Sequence, residues 1–288
     1  PDLPAPLAQD EGQQVLVDRL GLVSQHVAER VDLVGRGTGL RHAAGDRSGL
    51  ASALKTIASR EQNVTTIEDP IEFMFHHKKC IIGQREVGLD TLSFENALCE
   101  AMREAPDVIM IGEARDRMTV ESALRYADTG HLCLTTLHAT NSNQTLDRIL
   151  NFFPSDSHNQ ILMDLSLNLN AILAQRLVSS ADGARVVATE VLINTPYISQ
   201  LIRDGDFHGI KEIMEKGADV GMQTFDQSLY TLFKDGRIDL KIALANADSS
   251  SDLEWRINFG GGVKDMQQKD QNPDTLQFPA TNVDLKKS

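Results

Sequence analysis

The sequence predicts an α/β protein built on a largely parallel sheet. Short apolar, β-branched segments alternate along the chain with segments whose apolar residues recur at the i, i+3, i+4 spacing of a helix. Strands that alternate with helices belong to βα units, and such units form parallel sheets. The predicted strands are 63–68, 79–84, 108–113, 131–138 and 185–193.

Helical patterns fill the gaps between these strands, and after Val191 the strand pattern stops and four helical segments follow. Thr195-Pro196 provides a helix N-cap with proline at the first helical position, and Thr224 to Gln227 matches a capping box. We therefore predict a small helical C-terminal domain over 194–259. Residues 260–288 are mostly polar and open with three glycines, so a disordered tail is expected there.

Polar side chains stand where several of these strands end. Glu68 and Asp69 follow the first strand, Glu113 and Arg115 follow the third, and His138 ends the fourth. Because parallel strands bring their carboxyl ends to one edge of the sheet, these groups are expected to converge there. Carboxylates beside imidazole and guanidinium groups suit a bound magnesium nucleotide.

Composition narrows the function classes. The net charge of −13 argues against sequence-independent binding to nucleic acid, which needs a basic surface. Three cysteines without a CxxC pair favour buried, reduced thiols in a cytosolic protein. No apolar run is long enough to cross a bilayer, so no direct membrane insertion is expected and any membrane contact goes through a partner.

The motifs EDPIEF, QREVG, APDVIMIGEARD and TGHLCLTTLHA, in this order, resemble the secretion and pilus motor ATPases. Downstream, NQTLDRILNFFP and EIMEKGADVGMQTFDQSLY resemble the type IV pilus retraction motors of the PilT/PilU family, the PilU branch especially. The resemblance covers about residues 50–258. It implies a RecA-like P-loop NTPase core over 49–193, ATP and Mg²⁺ as cofactors, and a role in pilus retraction and twitching motility.

The resemblance also implies partners and a location. It predicts a homohexamer, or a mixed ring with a homologous motor, which acts on an inner-membrane pilus platform protein. The protein is then expected to be cytoplasmic and peripheral to the inner membrane through that partner. The three cysteines leave no room for the four-cysteine zinc insertion of pilus extension and type II secretion ATPases, which remain an alternative.

The resemblance implies roles for the residues at the strand ends. Glu113 falls at the Walker B position and activates the attacking water, while Glu68 and Asp69 fall in the Asp box and organise Mg²⁺. His138 falls in the His box, on the nucleotide side of the sheet. From the residues alone, Glu113 equally fits a structural ion pair with Arg115 or Arg117, and His138 fits a hydrogen-bonded structural histidine.

Three arginines resemble positions where this family places guanidinium groups near the phosphates, some of them across a subunit boundary. They are Arg85, Arg103 and Arg115. An arginine from a neighbouring subunit neutralises charge on the transferred phosphoryl group, which requires a ring-shaped oligomer. The alternative is that each pairs with the carboxylate beside it in sequence, namely Glu86, Glu104 or Asp116.

A phosphate loop with the pattern GxxxxGK[ST] does not occur in the sequence. In the family's register, Gly45 takes the place of the last motif glycine, Asp46 that of the lysine and Arg47 that of the hydroxyl residue, with Ser48 next. A carboxylate about 4 Å from a phosphate charge repels it by about 4 kcal/mol at an effective dielectric of about 20. We therefore expect weak ATP binding and little hydrolysis.

Residues 1–54 lack Lys, Asn, Ile, Met, Phe, Tyr, Trp and Cys, all of which occur later in the chain. We interpret 1–48 as a degenerate segment that replaces the family's N-terminal domain and phosphate loop. Three explanations are open, namely a shifted reading frame, a genuinely degenerate subunit and an unorthodox phosphate loop. Three functions are open as well, namely an ATP-hydrolysing retraction motor, a non-hydrolysing accessory subunit of a motor ring and a truncated, inactive product.

Overall fold

A computed structural model of the protein describes residues 20–24 and 61–259. The described residues form a seven-stranded sheet in the order β3-β2-β4-β5-β1-β6-β7. All neighbouring strands are parallel except β6 and β7, which form an antiparallel pair. The strands are β1 Leu20–Ser24, β2 Asn63–Glu68, β3 Ile81–Glu86, β4 Val108–Ile111, β5 Leu132–Leu137, β6 Leu169–Ser179 and β7 Arg185–Ile193. The predicted α/β fold with a mainly parallel sheet is confirmed.

Helices follow the strands in the same chain order. The first four are α1 Phe94–Ala101, α2 Arg117–Asp128, α3 Ser142–Asn151 and α4 His158–Asn168. Five more follow β7, namely α5 Pro196–Asp204, α6 Phe207–Lys216, α7 Phe225–Lys234, α8 Leu240–Asn246 and α9 Ser250–Phe259. Short 3₁₀ turns cover Met102–Glu104, Ser155–Ser157 and Ala218–Val220. The prediction of four C-terminal helices was wrong by one.

Two strands escaped the sequence analysis. The segment that forms β6 lies in a gap between predicted strands that was expected to be helical. Leu162, Leu165, Leu169 and Ile172 do have the spacing of a helix face. The chain instead leaves the helical conformation at Leu169, which has φ −68° and ψ 131° and no glycine or proline beside it. β1 lies in the segment with unusual residue usage, which offered no strand pattern. It inserts between β5 and β6.

The core has three parts that share the sheet as their centre. The largest packs alternate residues of β4, including Ile109 and Ile111, beneath α1 to α6. The intervening residues Val108 and Met110 face a smaller cluster on the opposite side. In the third cluster, β6 and β7 pack against α7 to α9 around Phe225. Packing on both faces of the sheet therefore fixes the positions of β2, β4 and β5 and of the residues at their carboxyl ends.

Both predicted caps of the C-terminal helices are present. Thr195 accepts a hydrogen bond from the backbone N–H of Ile198 at 3.4 Å and begins α5. Thr224 and Gln227 form the reciprocal capping box that begins α7. The boundary of a separate helical domain at 194 stays a prediction.

Several predictions concern residues outside the described part of the chain. They include Gly45, Asp46, Arg47 and Ser48, most of the segment 1–48, and the tail 260–288. Within 20–24 and 61–259, no helix has both the length and the apolar character needed to cross a membrane.

The three cysteines are free thiols, as predicted, but they are not all buried. Cys80 and Cys133 are buried, whereas Cys99 is exposed on α1. Burial raises the pKa of Cys133 to about 12, so this thiol stays protonated at neutral pH.

Candidate functional site

The carboxyl ends of β2, β4 and β5 bring Glu113, Arg115 and His138 together. Glu113 follows β4 by two residues and is only 7% exposed. Arg115 donates from Nε to Oε2 of Glu113 at 2.8 Å, and Nε2 of His138 lies 2.5 Å from Oε1 of the same carboxylate. Each carboxylate oxygen of Glu113 therefore has a nitrogen partner that fixes its direction.

Arg115 also reaches the end of β2. Its guanidinium donates to Oδ2 of Asp69 at 3.3 Å and so links the carboxylates of Glu113 and Asp69. The hydrogen bond to Glu113 is the largest cause that raises the pKa of Arg115. Burial opposes it, and the charges of Glu113 and Asp69 add to the rise. Arg115 is therefore a permanent cation at this edge. Neighbouring Asp116 instead caps α2, where it accepts from the backbone N–H of Thr119 at 2.8 Å.

Glu68 occupies the same edge, one strand away, as the last residue of β2. It is 3% exposed, and its Oε1 accepts hydrogen bonds from Thr66 Oγ1 at 2.8 Å and from Gln84 Nε2 at 3.3 Å. Two donors on one carboxylate oxygen hold this side chain in one orientation. Glu68 and Asp69 thus stand at the carboxyl end of β2, the strand next to β4, and Arg115 links Asp69 to Glu113.

A backbone network around Gly112 sets the turn that carries Glu113. The N–H of Gly112 donates to the carbonyl of Ile67 at 2.8 Å, and its carbonyl accepts from Thr136 Oγ1 at 2.6 Å. Ala114 N–H donates to the carbonyl of Thr136 at 2.9 Å. These bonds join the ends of β2, β4 and β5 beyond their regular ladders. Sequence analysis missed Gly112, although a glycine directly before an acidic residue at a strand end indicates close backbone approach.

Two of the three predicted arginines lie in another part of the structure. Arg85 forms ion pairs with Glu100, in the last turn of α1, at 3.2 Å and with Glu104, in the 3₁₀ turn that follows α1. It does not pair with its sequence neighbour Glu86. Arg103 is exposed in the 3₁₀ turn that follows α1. Among the described residues, only Arg115 of the three is tied to Glu113 and Asp69.

The donor set at this edge fits Mg²⁺ held jointly with phosphate oxygens. Glu68 and Asp69 provide hard carboxylate oxygens, and 20–24 plus 61–259 contain no group of three or more side chains arranged as a dedicated metal cage. Mg²⁺ keeps several waters and commonly takes only one or two protein carboxylates beside substrate phosphates. The residues present therefore fit this ion.

The loop that carries His138 is anchored from β7. Glu190 is 4% exposed, and its Oε1 accepts from the backbone N–H of Ser142, the first residue of α3, at 2.6 Å. Desolvation is the main cause that raises the pKa of Glu190, Asp248 adds to it, and Ser142 and Lys211 oppose it. The folded protein therefore binds a proton at Glu190 more tightly than the unfolded chain does.

The raised pKa of Glu190 makes stability depend on pH. Below the ordinary pKa of 4.5 the carboxyl is protonated in both states, and as pH rises through the folded-state pKa the wild type loses stability. Gln has no such loss and keeps an acceptor for Ser142, so Glu190→Gln is expected to gain stability relative to wild type as pH rises from 4 to 8. Urea unfolding at several pH values measures this. A gap that does not widen, or one matched by exposed Glu212→Gln, contradicts the prediction.

An ordered set of acidic, imidazole and guanidinium groups thus stands at the carboxyl edge of a mostly parallel sheet, where open α/β folds bind their ligands. Residues 33–224 match the family described as Type II/IV secretion system protein. The chain belongs to this family.

The proteins that it resembles include type IV pilus ATPases. It is 50% identical to the type IV pilus ATPase PilU of Pseudomonas aeruginosa over 239 residues, which cover 81% of this chain and 63% of that protein. It is 40% identical to the retraction ATPase PilT of the same organism over 205 residues, which cover 71% and 60%. The chain thus spans about three fifths of the length of these relatives.

A solved structure shows the same fold. The crystal structure of the pilus retraction motor PilT with bound ADP superposes with a TM-score of 0.71 at 39% identity, covering 82% of this chain and 63% of that one. The RecA-like fold implied by the sequence resemblance is confirmed by this match.

Proposed function

We propose that this chain is an ATP-binding and ATP-hydrolysing motor of type IV pilus retraction and twitching motility. One observation carries the proposal. Glu113 is buried and held between Arg115 and His138, beside Glu68 and Asp69, at the sheet edge where this fold binds its ligands. The similarity to PilU and PilT supplies the reaction class.

Each residue of the cluster has a proposed task. Glu113 orients the attacking water and accepts its proton, because it is the buried carboxylate at the Walker B position. His138 contacts Glu113 and holds the carboxylate on the side of β5. Arg115 neutralises Glu113 and Asp69 and is available to phosphate oxygens, while Arg85 and Arg103 remain proposed phosphate arginines.

Glu68 and Asp69 are the proposed carboxylates for Mg²⁺, which neutralises phosphate charge when it is bound. Gly45, Asp46, Arg47 and Ser48 remain the residues proposed to meet the phosphates. β1 ends at Ser24 beside Leu137, so the chain that leads toward these residues starts next to His138.

The proposed assembly follows from the similarity to PilU and PilT. We propose a homohexamer or a mixed ring with a homologous motor, acting in the cytoplasm on an inner-membrane pilus platform protein. Partners that are nucleic acids are not proposed, because the chain carries a net charge of −13.

A second function is favoured by one specific observation. The sequence has no GxxxxGK[ST] string and has Asp46 at the lysine position of the family's register. A chain that cannot hold the triphosphate would act as a non-hydrolysing subunit that contributes only surfaces to a ring. A pilus extension or type II secretion ATPase is the remaining alternative.

Resequencing the coding DNA for residues 1–60 comes first. A frame that restores GxxxxGK[ST] supports the motor, whereas a confirmed Asp46 favours the accessory subunit. The gene, corrected if a frame is found, is then expressed in a strain that lacks its own retraction motor. We expect restored retraction and twitching, measured by fluorescent pilus imaging. Failure beside a PilU-type control that restores retraction contradicts the proposed motor.

A further inference from the structure

We propose that Gln84 is a positioning residue that sets the orientation of Glu68 and couples it to the loop between β2 and β3. The inference rests on the proposed function, because it concerns the carboxylate assigned to Mg²⁺. Gln84 lies in β3 directly opposite Thr66, and both side chains bond the same oxygen of Glu68. The roles proposed above for the phosphate-binding and metal-binding residues do not include this glutamine.

The amide of Gln84 makes three hydrogen bonds with the end of β2 and the loop after it. Oε1 accepts from the backbone N–H of Phe75 at 2.7 Å, and Nε2 donates to the carbonyl of Phe73 at 2.9 Å. The same Nε2 donates to Oε1 of Glu68 at 3.3 Å. One side chain therefore holds both the loop and the carboxylate of Glu68. If the loop moves, the hydrogen bond from Gln84 to Glu68 changes as well.

Two further contacts from β3 and the loop fix the same segment. Oε2 of Glu86 accepts from the backbone N–H of Ile71 at 2.9 Å, two residues after Asp69. His77 Nδ1 accepts from the backbone N–H of Ile82 at 3.1 Å and closes the loop onto the start of β3. The loop 69–80 is thus held by hydrogen bonds along the length of β3. Of the β3 side chains that hold the loop, Gln84 is the one that also bonds Glu68.

An amide is the side chain that this position requires. It must accept from Phe75 and donate to Phe73 and Glu68 at once, and a carboxylate lacks the donor while an ammonium lacks the acceptor. Glu68 is 3% exposed, so a lost donor is not readily replaced by bulk water. Partners that orient metal-binding carboxylates typically change metal affinity by about 10- to 100-fold when they are removed.

The test is a Mn²⁺ titration of the full chain followed by NMR. Paramagnetic broadening of the Ile71 amide reports Mn²⁺ near Glu68 and Asp69. In Gln84→Met, which keeps the size of the side chain but no hydrogen bond, the Mn²⁺ concentration for half-maximal broadening is expected to rise by about 10- to 100-fold. Gln84→Asn, whose amide is about one methylene short, is expected to show a smaller rise in the same direction. Exposed Gln200→Met is the matched control and is expected to titrate as wild type.

Amide hydrogen exchange at Phe75 distinguishes a role of Gln84 in orienting Glu68 from a role in holding the loop alone. One outcome is that Gln84→Met stays folded and shows faster exchange at Phe75 but an unchanged Mn²⁺ titration. In that case Gln84 only holds the loop in place, and the inference is overturned. If both Gln84 variants unfold, the role is structural and the inference is likewise overturned. If the wild type shows no broadening near Glu68 with millimolar Mn²⁺, either alone or with ADP added, the proposed Mg²⁺ site itself fails, which is distinct from a failure of Gln84 alone.

Discussion

Replacement of Glu113 by glutamine is expected to lower the rate of ATP hydrolysis by about 10²- to 10⁴-fold, the usual contribution of a positioned general base. Glutamine keeps the shape of the side chain and an oxygen that accepts from Arg115 Nε or faces His138. It cannot take a proton from water. Nucleotide binding is therefore expected to change little while turnover is lost.

The measurement is single-turnover hydrolysis by the full chain, alone and mixed with an intact homologous motor, with nucleotide binding recorded in parallel. Glu121→Gln is the matched control, since Glu121 is a partly exposed carboxylate on α2 that pairs only with Arg117 among the described contacts. A wild type that hydrolyses ATP and a Glu113→Gln variant that does not support the motor. An active mixed ring that is indifferent to Glu113→Gln favours the accessory subunit.

The position of the acidic residues at one sheet edge could be predicted from the sequence, because strand ends are a local signal and parallel strands share one edge. Glu68, Asp69, Glu113 and His138 each follow an apolar run, and the fold needs only to align those runs. Arg115 was predicted near this cluster, with Glu113 or Asp116 as its partner in an ion pair. It pairs with Glu113 and Asp69, whereas Asp116 caps α2. Sequence neighbours compete for such a cation, and only the backbone turn decides which one it reaches.

The residues that were missed act through contacts between distant segments. Gln84 meets Glu68 and Phe75 because β3 pairs with β2 in one register, and Arg85 meets Glu100 and Glu104 through the packing of α1. β6 was missed because its apolar spacing also fits a helix, and a place in the sheet between β1 and β7 overrides that local preference. Strand register and helix packing depend on residues that are distant in sequence, so no single segment predicts these contacts.

Gly112 yields the other large expected effect, a loss of stability of about 1–3 kcal/mol for Gly112→Val, typical of an overpacked site. A Cβ at this position would lie 3.3 Å from the carbonyl oxygen of Ile67 and 3.4 Å from Cα of Glu68. Valine adds two methyl groups to that contact and pushes the ends of β2 and β4 apart. Thermal or urea unfolding measures the loss, and Gly112→Ala is expected to fall between wild type and valine.

Gly83→Val is the matched control, because it makes the same substitution in the neighbouring strand β3. The nearest heavy atom to a Cβ at Gly83 is the carbonyl oxygen of Val64 at 3.9 Å, an ordinary contact. A β-branched residue there is expected to be neutral or stabilising, since glycine weakens a strand. If the two valine variants unfold alike, close packing at Gly112 does not fix the spacing of Glu68 and Glu113. If only Gly112→Val is destabilised, the distance between the two acidic strand ends is set by the missing side chain between them.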